Sequence, residues 1–230
     1  MRWCASSSPS SSTAPSACSA TTRIIAPLRV LAERGSVGQR LILASASPRR
    51  RELLNQIGVH AEVLACDVPE QRQAGESALA YSCRVARDKA IAGWNLCAQG
   101  RDCRVLGADT EVVLDDCVFG KPGNAQHAVS MLQQLSGREH QVLTSVALVG
   151  CGFDEVVTSS TAVRFARLSD AQIARYVDSG EPFGKAGGYA IQGRAAAFIV
   201  RIEGSYSGVM GLPLFETTAL LQRAGWLESD

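Results

Sequence analysis

The segment of residues 45–51 combines several side chains that can bind an anion, and it directly follows the apolar run 41–44. Ser47 and Pro48 are typical of a helix N-terminus. Three consecutive arginines then occupy the first turn, where the helix dipole is already positive and further cations are unfavourable. An anion bound by free N–H groups, hydroxyls and guanidinium groups would offset that cost, and phosphate fits this chemistry. The alternative interpretation is a solvated basic turn.

Two carboxylates are candidates for acid–base or metal chemistry. Asp109 follows an apolar run that predicts a strand, a place from which a rigid element can present a catalytic or metal-binding group. The alternative is a turn aspartate bonded to its own backbone. Glu70 lies in the polar loop 67–72, and together with Asp109 it could hold a hard cation such as Mg²⁺. A solvated acidic loop is the alternative for this segment.

Two further segments offer contacts to a nucleotide. Lys121, between a glycine and a proline, could supply a compact positive charge to a phosphate, or it is an ordinary surface lysine. The glycine-rich segment 184–193 permits close approach of a ligand to the backbone. Within it, Gln192 carries both a donor and an acceptor for a base edge. The segment has neither the G-K-[ST] ending of a Walker loop nor the crossover helix of a Rossmann fingerprint.

The composition excludes several classes of protein. The 230 residues include 23 basic and 22 acidic side chains, a formal net charge of +1, which argues against binding to nucleic acid or to a membrane surface through bulk charge. No apolar run approaches the roughly 20 residues that span a bilayer. The eight cysteines form no C-x-x-C pair, so we expect reduced thiols in a cytoplasmic protein; a catalytic cysteine is the alternative.

The chain divides into a tail, residues 1–38, and one domain, residues 39–228. The tail is rich in Ser, Ala and Pro and has no acidic residue before Glu33. This composition favours a disordered segment, or a true translation start farther downstream, near Val37. A targeting peptide is the third interpretation. The domain alternates strand and helix patterns, with antiparallel pairs, and predicts a mixed α/β fold. Strands are expected at 41–44, 61–66, 105–107, 111–114, 117–119, 140–149, 156–167 and 198–203, and helices at 48–57, 77–94, 125–135, 170–179 and 213–224. Asn124 and Ser169 are expected to cap two of these helices, a hairpin is expected to turn at Asp115-Asp116, and Leu79 is expected to face the core.

Seven short motifs occur in a fixed order along the domain. They are Ser-x-Ser-Pro-Arg-Arg at 45–50, Glu-Gln-Arg at 70–72, Ala-Arg-x-Lys-Ala at 86–90, Gly-Ala-Asp-Thr at 107–110, Gly-Lys-Pro at 120–122, Lys-Ala-Gly-x-Tyr-x-Ile-Gln-Gly at 185–193 and Gly-Leu-Pro at 211–213. In order and spacing they resemble the Maf family of nucleoside triphosphate pyrophosphatases, from about residue 41 to residue 224.

The resemblance implies a fold, a reaction and a site. The fold would be an elongated mixed sheet flanked by helices, with two lobes and a deep central cleft as in inosine triphosphatases, often as a homodimer. The reaction would cleave a nucleoside triphosphate between its α and β phosphates, with a divalent cation (Mg²⁺, Mn²⁺ or Co²⁺). Asp109 would accept the proton of the attacking water, and Glu70 would join it at the metal. Around the triphosphate would lie Ser45, Arg49, Arg50, Lys89 and Lys121, with Arg51 solvated.

The resemblance also indicates a substrate. Arg49, Thr110 and Gln192 match the branch of the family that acts on dTTP and UTP rather than the branch that acts on 7-methyl-GTP. Modified pyrimidine triphosphates are an alternative substrate class. A second alternative is a nucleotide-binding regulator of septum formation in cell division. Glu111 departs from the apolar residue usual at its position, and it would affect metal binding or rate only if it faces the cleft.

Overall fold

The computed structural model describes residues 39–97 and 103–228, and within them the chain forms one seven-stranded mixed sheet flanked by helices. The strands are β1 (Arg40–Ala44), β2 (Glu62–Val63), β3 (Cys103–Leu114), β4 (Cys117–Phe119), β5 (Glu139–Gly150), β6 (Phe153–Phe165) and β7 (Ile199–Glu203). The α-helices are α1 (Pro48–Gln56), α2 (Ala78–Cys97), α3 (Ala125–Leu135), α4 (Asp170–Asp178), α5 (Tyr206–Met210) and α6 (Leu214–Arg223). The predicted mixed α/β class is confirmed, whereas the predicted tail, residues 1–38, lies outside the described residues.

Strand β3 is the centre of the sheet, and one of its edges has a gap. β5 pairs with β3 in antiparallel register from Arg104 to Val113. On the other edge, β1 runs parallel to β3 and ends opposite Gly107, and the antiparallel β4 ends opposite Val112. Residues 108–111 therefore have no described strand beside them on that edge. This gap lies beyond the carboxyl end of β1, which is where α/β sheets commonly bind ligands.

Two hydrophobic cores lie along the same face of β3. Leu106 and Ala108 belong to the core formed with α1 and α6, and Val112 and Leu114 belong to the core formed with α3 and α4. Side chains two residues apart share a face of a strand, so Thr110 lies on that face between the two cores. The two cores correspond to the two predicted lobes, and the polar residue between them belongs to the cleft.

Helix α2 covers the other face of the sheet at very short range. A Cβ atom at Gly107 would lie 2.2 Å from the carbonyl oxygen of Ala86 and 2.6 Å from the backbone nitrogen of Ala90. Both are backbone atoms of α2, so a side chain at Gly107 would have to push the helix away from β3. Glycine at this position therefore sets the distance between the sheet and the helix that carries Lys89.

Several local signals in the sequence are confirmed. Asn124 caps α3 by accepting a hydrogen bond from the backbone nitrogen of His127 at 2.8 Å, and Ser169 begins α4 with a full capping box. Asp115 and Asp116 both have positive φ, 49° and 62°, as expected of a tight hairpin turn between β3 and β4. None of the described helices is long and apolar enough to cross a bilayer.

Other sequence predictions need correction. The runs 105–107 and 111–114 are parts of one continuous strand, since β5 pairs with β3 through the polar residues between them. The strand predicted at 61–66 is reduced to Glu62–Val63. Leu79, predicted to face the core, is 49% exposed on the first turn of α2. Ser47 occupies the N-cap position of α1 without a capping side-chain bond, and α5 was not predicted.

Candidate active site

The gap beside β3 opens into a cleft of about 810 Å³. Its walls come from the turn between β1 and α1, from β3 and β4, from the 184–186 segment and from the end of α5. Of the predicted site residues, the cleft brings together Ser45, Arg49, Arg50, Glu70, Lys89, Asp109, Thr110 and Lys121. Residues from five separate motifs thus meet in one place.

Arg50 is held rigidly at one wall of the cleft. Its Nε donates to the carbonyl oxygen of Gly211 at 2.8 Å, and its two Nη atoms donate to Ser45 Oγ and Thr110 Oγ1, each at 3.2 Å. Burial lowers the pKa of Arg50, and the charge of Asp109 acts in the opposite direction. A guanidinium has five N–H groups, so these three bonds leave two for an anionic ligand.

Two further cations lie at the same part of the cleft. Arg49 is half-buried and lines it, whereas Arg51 is exposed, as predicted. Lys185 also lines the cleft, where its Nζ donates to the carbonyl oxygen of Glu181 at 2.5 Å. Its pKa is lowered, first by burial and then by the charge of Arg49. Lys185 was not predicted as a site residue, although it is the first residue of the last long motif.

Lys89 joins the two predicted metal-binding carboxylates. Its Nζ lies 2.9 Å from Asp109 Oδ1 and 2.7 Å from Glu70 Oε1. The other oxygen of Glu70 accepts a hydrogen bond from Lys121 at 3.2 Å. Burial of Glu70 favours its neutral form and acts to raise its pKa. The hydrogen bonds and charges of Lys89 and Lys121 together outweigh burial, so the pKa of Glu70 is lowered. Glu70 is therefore an anionic link between two lysines that were both predicted to bind phosphate.

Asp109 and Glu111 form a buried pair of carboxyl groups. They lie two residues apart on β3, so they share a face of the strand, and they are only 5% and 8% exposed. Asp109 Oδ2 accepts no hydrogen bond from any described N–H or hydroxyl group. Burial, and then the charge and hydrogen bond of Asp109, raise the pKa of Glu111 to about 8. Of the two orientations considered for Glu111, the structure shows the one that faces the cleft.

Tyr81 is a cleft residue that the sequence analysis missed. It is 6% exposed, and its pKa is raised to about 12, first by burial and then by the charges of Glu111 and Asp109. The guanidinium of Arg84 lies over its ring, 5.5 Å from the centroid. Tyr81 and Lys89 are about two helical turns apart on α2. From this spacing the sequence could have predicted that both side chains lie on the same face of the helix.

Apolar side chains line the part of the cleft next to the α3–α4 core. They are Val112, Val118, Val142, Phe183, Val209 and Met210. Tyr189 also reaches the cleft, and its hydroxyl lies 2.8 Å from Nε2 of the buried His140. The cleft thus combines a charged part, rich in Arg and Lys, with an apolar part, as a ligand with both phosphate groups and a ring requires.

Gln192 is not brought into the cleft. It is exposed, and it is absent from the cleft lining. The glycines near it have backbone roles: a Cβ atom at Gly193 would lie 2.3 Å from Glu181 Oε1. Glu181 in turn accepts hydrogen bonds from the Tyr176 hydroxyl at 3.0 Å and from the Arg194 nitrogen at 3.0 Å. The role predicted for Gln192 in base recognition stays a prediction.

The described residues give less support to a metal site made of protein ligands alone and to a nucleophilic cysteine. Within residues 39–97 and 103–228, no group of three or more His, Cys, Asp or Glu side chains is placed to hold a metal ion. Cys66 lines the cleft, but burial raises the pKa of its thiol, which disfavours the thiolate that a nucleophilic cysteine needs.

Comparisons with known proteins agree with the motifs. The family described as "Maf-like protein" matches residues 40–224. A dTTP/UTP pyrophosphatase of Chromobacterium violaceum is 52% identical over 81% of this chain and 96% of its own length, and one of Xanthomonas oryzae pv. oryzae is 55% identical over 80% and 98%. The solved structure of a dITP/XTP pyrophosphatase from Mycobacterium abscessus is 18% identical, with a TM-score of 0.36 over 56% of this chain and 75% of that one. That structural likeness is too low to support a conclusion.

Proposed function

The chain belongs to the Maf family, and from this premise we propose that it hydrolyses dTTP and UTP to the nucleoside monophosphate and pyrophosphate. The names of relatives that share more than half of its aligned residues support this substrate pair. The observation that carries the proposal is the arrangement of the cleft, where Arg49, Arg50 and Lys121 line the same cavity as Asp109, whose Oδ2 has no described donor.

The charged side chains would bind and orient the triphosphate. A nucleoside triphosphate carries about four negative charges, and cations in a partly buried cleft stabilise them more strongly than water does. Arg50 offers two N–H groups from a fixed position, and Ser45, Arg49 and Lys121 line the same cavity. Lys89 is charge-paired with Asp109 and Glu70, so it would hold Asp109 in place while lying close to the phosphate groups.

Asp109 would act as the proton acceptor. Asp109 lines the cleft and its buried Oδ2 has no described donor, so this oxygen would accept a proton from a water molecule as the oxygen of that water attacks the α phosphorus. The bond between the α phosphorus and the oxygen bridging to the β phosphorus breaks, and its electron pair leaves with pyrophosphate. The proton on Asp109 then passes to solvent, which restores the carboxylate.

The residues present fit a divalent cation. Asp109 Oδ2 is a buried carboxylate oxygen without a partner, and Glu70 adds a second hard oxygen donor nearby, which is the donor chemistry that Mg²⁺, Mn²⁺ and Co²⁺ accept. When bound, such an ion would neutralise charge that develops on the phosphate oxygens. Mg²⁺ commonly uses one or two carboxylates together with substrate phosphates, so a cage of three protein ligands is not required.

Specificity for a pyrimidine would come from the apolar part of the cleft and from Arg49 and Thr110, whereas Gln192 lies outside the cleft lining. Thr110 accepts hydrogen bonds from Arg50 at 3.2 Å and from Thr144 at 3.1 Å, so it would act by fixing Arg50 rather than by direct contact with a base. Modified pyrimidine triphosphates share the same ring size, and they belong in the same assay.

A pyrophosphate-release assay across canonical and modified triphosphates, with Mg²⁺ or Mn²⁺, tests the proposal. Asp109→Asn removes the proton acceptor at constant size, and we expect kcat to fall about 10²- to 10⁴-fold. Asp116→Asn is the matched control, because Asp116 lies in an exposed turn at a φ of 62° that asparagine tolerates. Equal rates on purine and pyrimidine triphosphates would refute the specificity, and no release from any of them would refute the activity.

A further inference from the structure

The loop that carries Glu70 connects β2 with α2 through the described residues 64–77, which form neither helix nor strand. Residues 69–75 within it are all exposed. An exposed segment with few buried contacts is among the parts of a fold that open most easily. Glu70 nevertheless lies 2.7 Å from Lys89 Nζ and 3.2 Å from Lys121 Nζ. To keep this position, the loop needs fixed points elsewhere along its length.

Arg84, on the second turn of α2, supplies these fixed points. Its Nε donates to Glu76 Oε1 at 2.7 Å and its Nη2 to Glu76 Oε2 at 3.0 Å, the paired geometry of a guanidinium on a carboxylate. The same Nη2 donates to the carbonyl oxygen of Gln71 at 2.9 Å, so it fixes the backbone directly after Glu70. Nη1 donates to Asp88 Oδ2 at 3.3 Å, which holds the guanidinium on its own helix.

Glu76 transmits this attachment to the rest of the loop. Its side chain is only 10% exposed. Oε2 also accepts a hydrogen bond from the backbone nitrogen of Gln73 at 2.9 Å, and the carbonyl oxygen of Glu76 accepts one from Arg72 Nε at 2.6 Å. The hydrogen bond from Arg84 is the largest cause that lowers the pKa of Glu76, to about 2. The pair is therefore charged at neutral pH, and the turn 72–76 is closed on a carboxylate that Arg84 holds.

A second arginine on the same helix offers a comparison. Arg87 also bonds both oxygens of one carboxylate, since its Nε lies 2.9 Å from Asp154 Oδ1 and 3.1 Å from Asp154 Oδ2. Asp154 belongs to β6, so this pair joins α2 to the sheet. Arg84 joins α2 to the loop of Glu70 instead. Two arginines three residues apart thus make similar ion pairs, and only the pair of Arg84 reaches the loop.

We propose that Arg84 is a positioning residue for pyrophosphate release, and that it acts by keeping Glu70 between the two lysines of the cleft. The inference rests on the proposed function for the reaction itself. Arg84 is not part of the cleft lining, so its effect has to pass through the loop. Without its bonds the loop would open more often, and Glu70 would leave Lys89 and Lys121. Both lysines would then lose the carboxylate that orients them towards the triphosphate.

Limited digestion with trypsin tests the attachment of the loop without turnover, because Arg72 is an exposed cleavage site within it. Arg84→Gln is expected to speed cleavage after Arg72 about tenfold, since the protease cuts a segment in its open state. Arg84→Lys should speed it less, because lysine keeps the charge but not the paired geometry. Arg87→Gln is the matched control and should stay within about twofold of wild type. Equal rates for Arg84→Gln and Arg87→Gln would overturn the inference.

A double-mutant cycle with Glu70→Gln tests whether Arg84 acts through Glu70. Arg84→Gln alone is expected to lower kcat/KM for pyrophosphate release from dTTP about tenfold, because the cleft lysines lose their orientation. In the Glu70→Gln background the same change should lower kcat/KM by less than about twofold. The loss of unfolding free energy should be equal in both backgrounds, because Arg84 does not bond the Glu70 carboxylate. A purely structural role would make both quantities additive.

The outcomes separate the inference from the proposed function. An equal fall of kcat/KM in both backgrounds, or no fall in either, would show that Arg84 does not act through Glu70, while release from dTTP by the wild-type chain would still uphold the function. If the wild-type chain releases no pyrophosphate from any triphosphate, the function fails, and the role of Arg84 in the reaction fails with it. Faster cleavage after Arg72 in Arg84→Gln would then still uphold the attachment of the loop to α2.

Discussion

His140 should make the stability of the fold sensitive to mild acid. Its ring is 2% exposed, it packs edge-on against Phe165 with centroids 5.1 Å apart, and its Nδ1 has no described partner. Burial lowers the pKa of His140 to about 4, compared with 6.5 for an unperturbed histidine. The folded chain therefore holds His140 neutral over a range of pH in which the unfolded chain binds a proton.

The sign and size of the effect follow from this difference. The unfolded state binds the proton more strongly. The free energy of unfolding therefore has its full value above about pH 6.5 and decreases as the pH falls towards 4. Each pH unit of difference between the two pKa values is worth about 1.4 kcal/mol. The full loss from His140 is thus roughly 3 kcal/mol, of which roughly 2 kcal/mol is already lost at about pH 5.

Urea unfolding of wild type and His140→Gln, followed by tryptophan fluorescence, measures this loss. The variant is expected to be less stable at about pH 7.5, where it loses the ring packing, but to lose roughly 2 kcal/mol less than wild type on going to about pH 5. His127→Gln is the control, because His127 is exposed, and its pH dependence should match wild type. Parallel curves for wild type and His140→Gln between these two pH values would refute the argument.

Two further predictions concern glycine packing and base recognition. Gly107→Ala places a Cβ atom 2.2 Å from the backbone of Ala86 and should lower the free energy of unfolding by about 3 kcal/mol or more. The control Gly123→Ala, with no atom within 4 Å of its Cβ, should change this free energy by less than about 1 kcal/mol. Equal effects of the two variants in chemical denaturation would contradict this packing. Gln192→Ala should leave the ratio of dTTP to dGTP hydrolysis within about twofold, since Gln192 lies outside the cleft lining. A larger change would show that the 184–193 segment closes over the base.

The sequence predicted best the features that depend on neighbouring residues. The capping residues Asn124 and Ser169 and the turn at Asp115 and Asp116 act over three or four positions, so their chemistry is visible in a short window. Most of the predicted site residues also meet in the cleft. The first motif follows β1, and the parallel pairing of β1 with β3 places the end of β1 next to residues 107–110.

Features that depend on distant contacts were not predictable in the same way. Tyr81 becomes a cleft residue only because α2 packs against β3 at Gly107. That Lys89 would lie between Asp109 and Glu70 depends on three separate segments. Gln192 was expected at the ligand because of its motif, but the segment turns it outward, and the short helix α5 has too few residues to show a helical period.

The bond between Arg50 and the carbonyl oxygen of Gly211 spans 161 positions of the chain. An anion-binding guanidinium near the start of the domain is thus fixed by a backbone atom near its end. During synthesis, a chain that has not yet reached Gly211 cannot fix Arg50 through this bond, even if β1, α1 and β3 have already paired. Activity would therefore begin only when the last segments of the domain dock, and a growing chain would not consume nucleotides before it is complete.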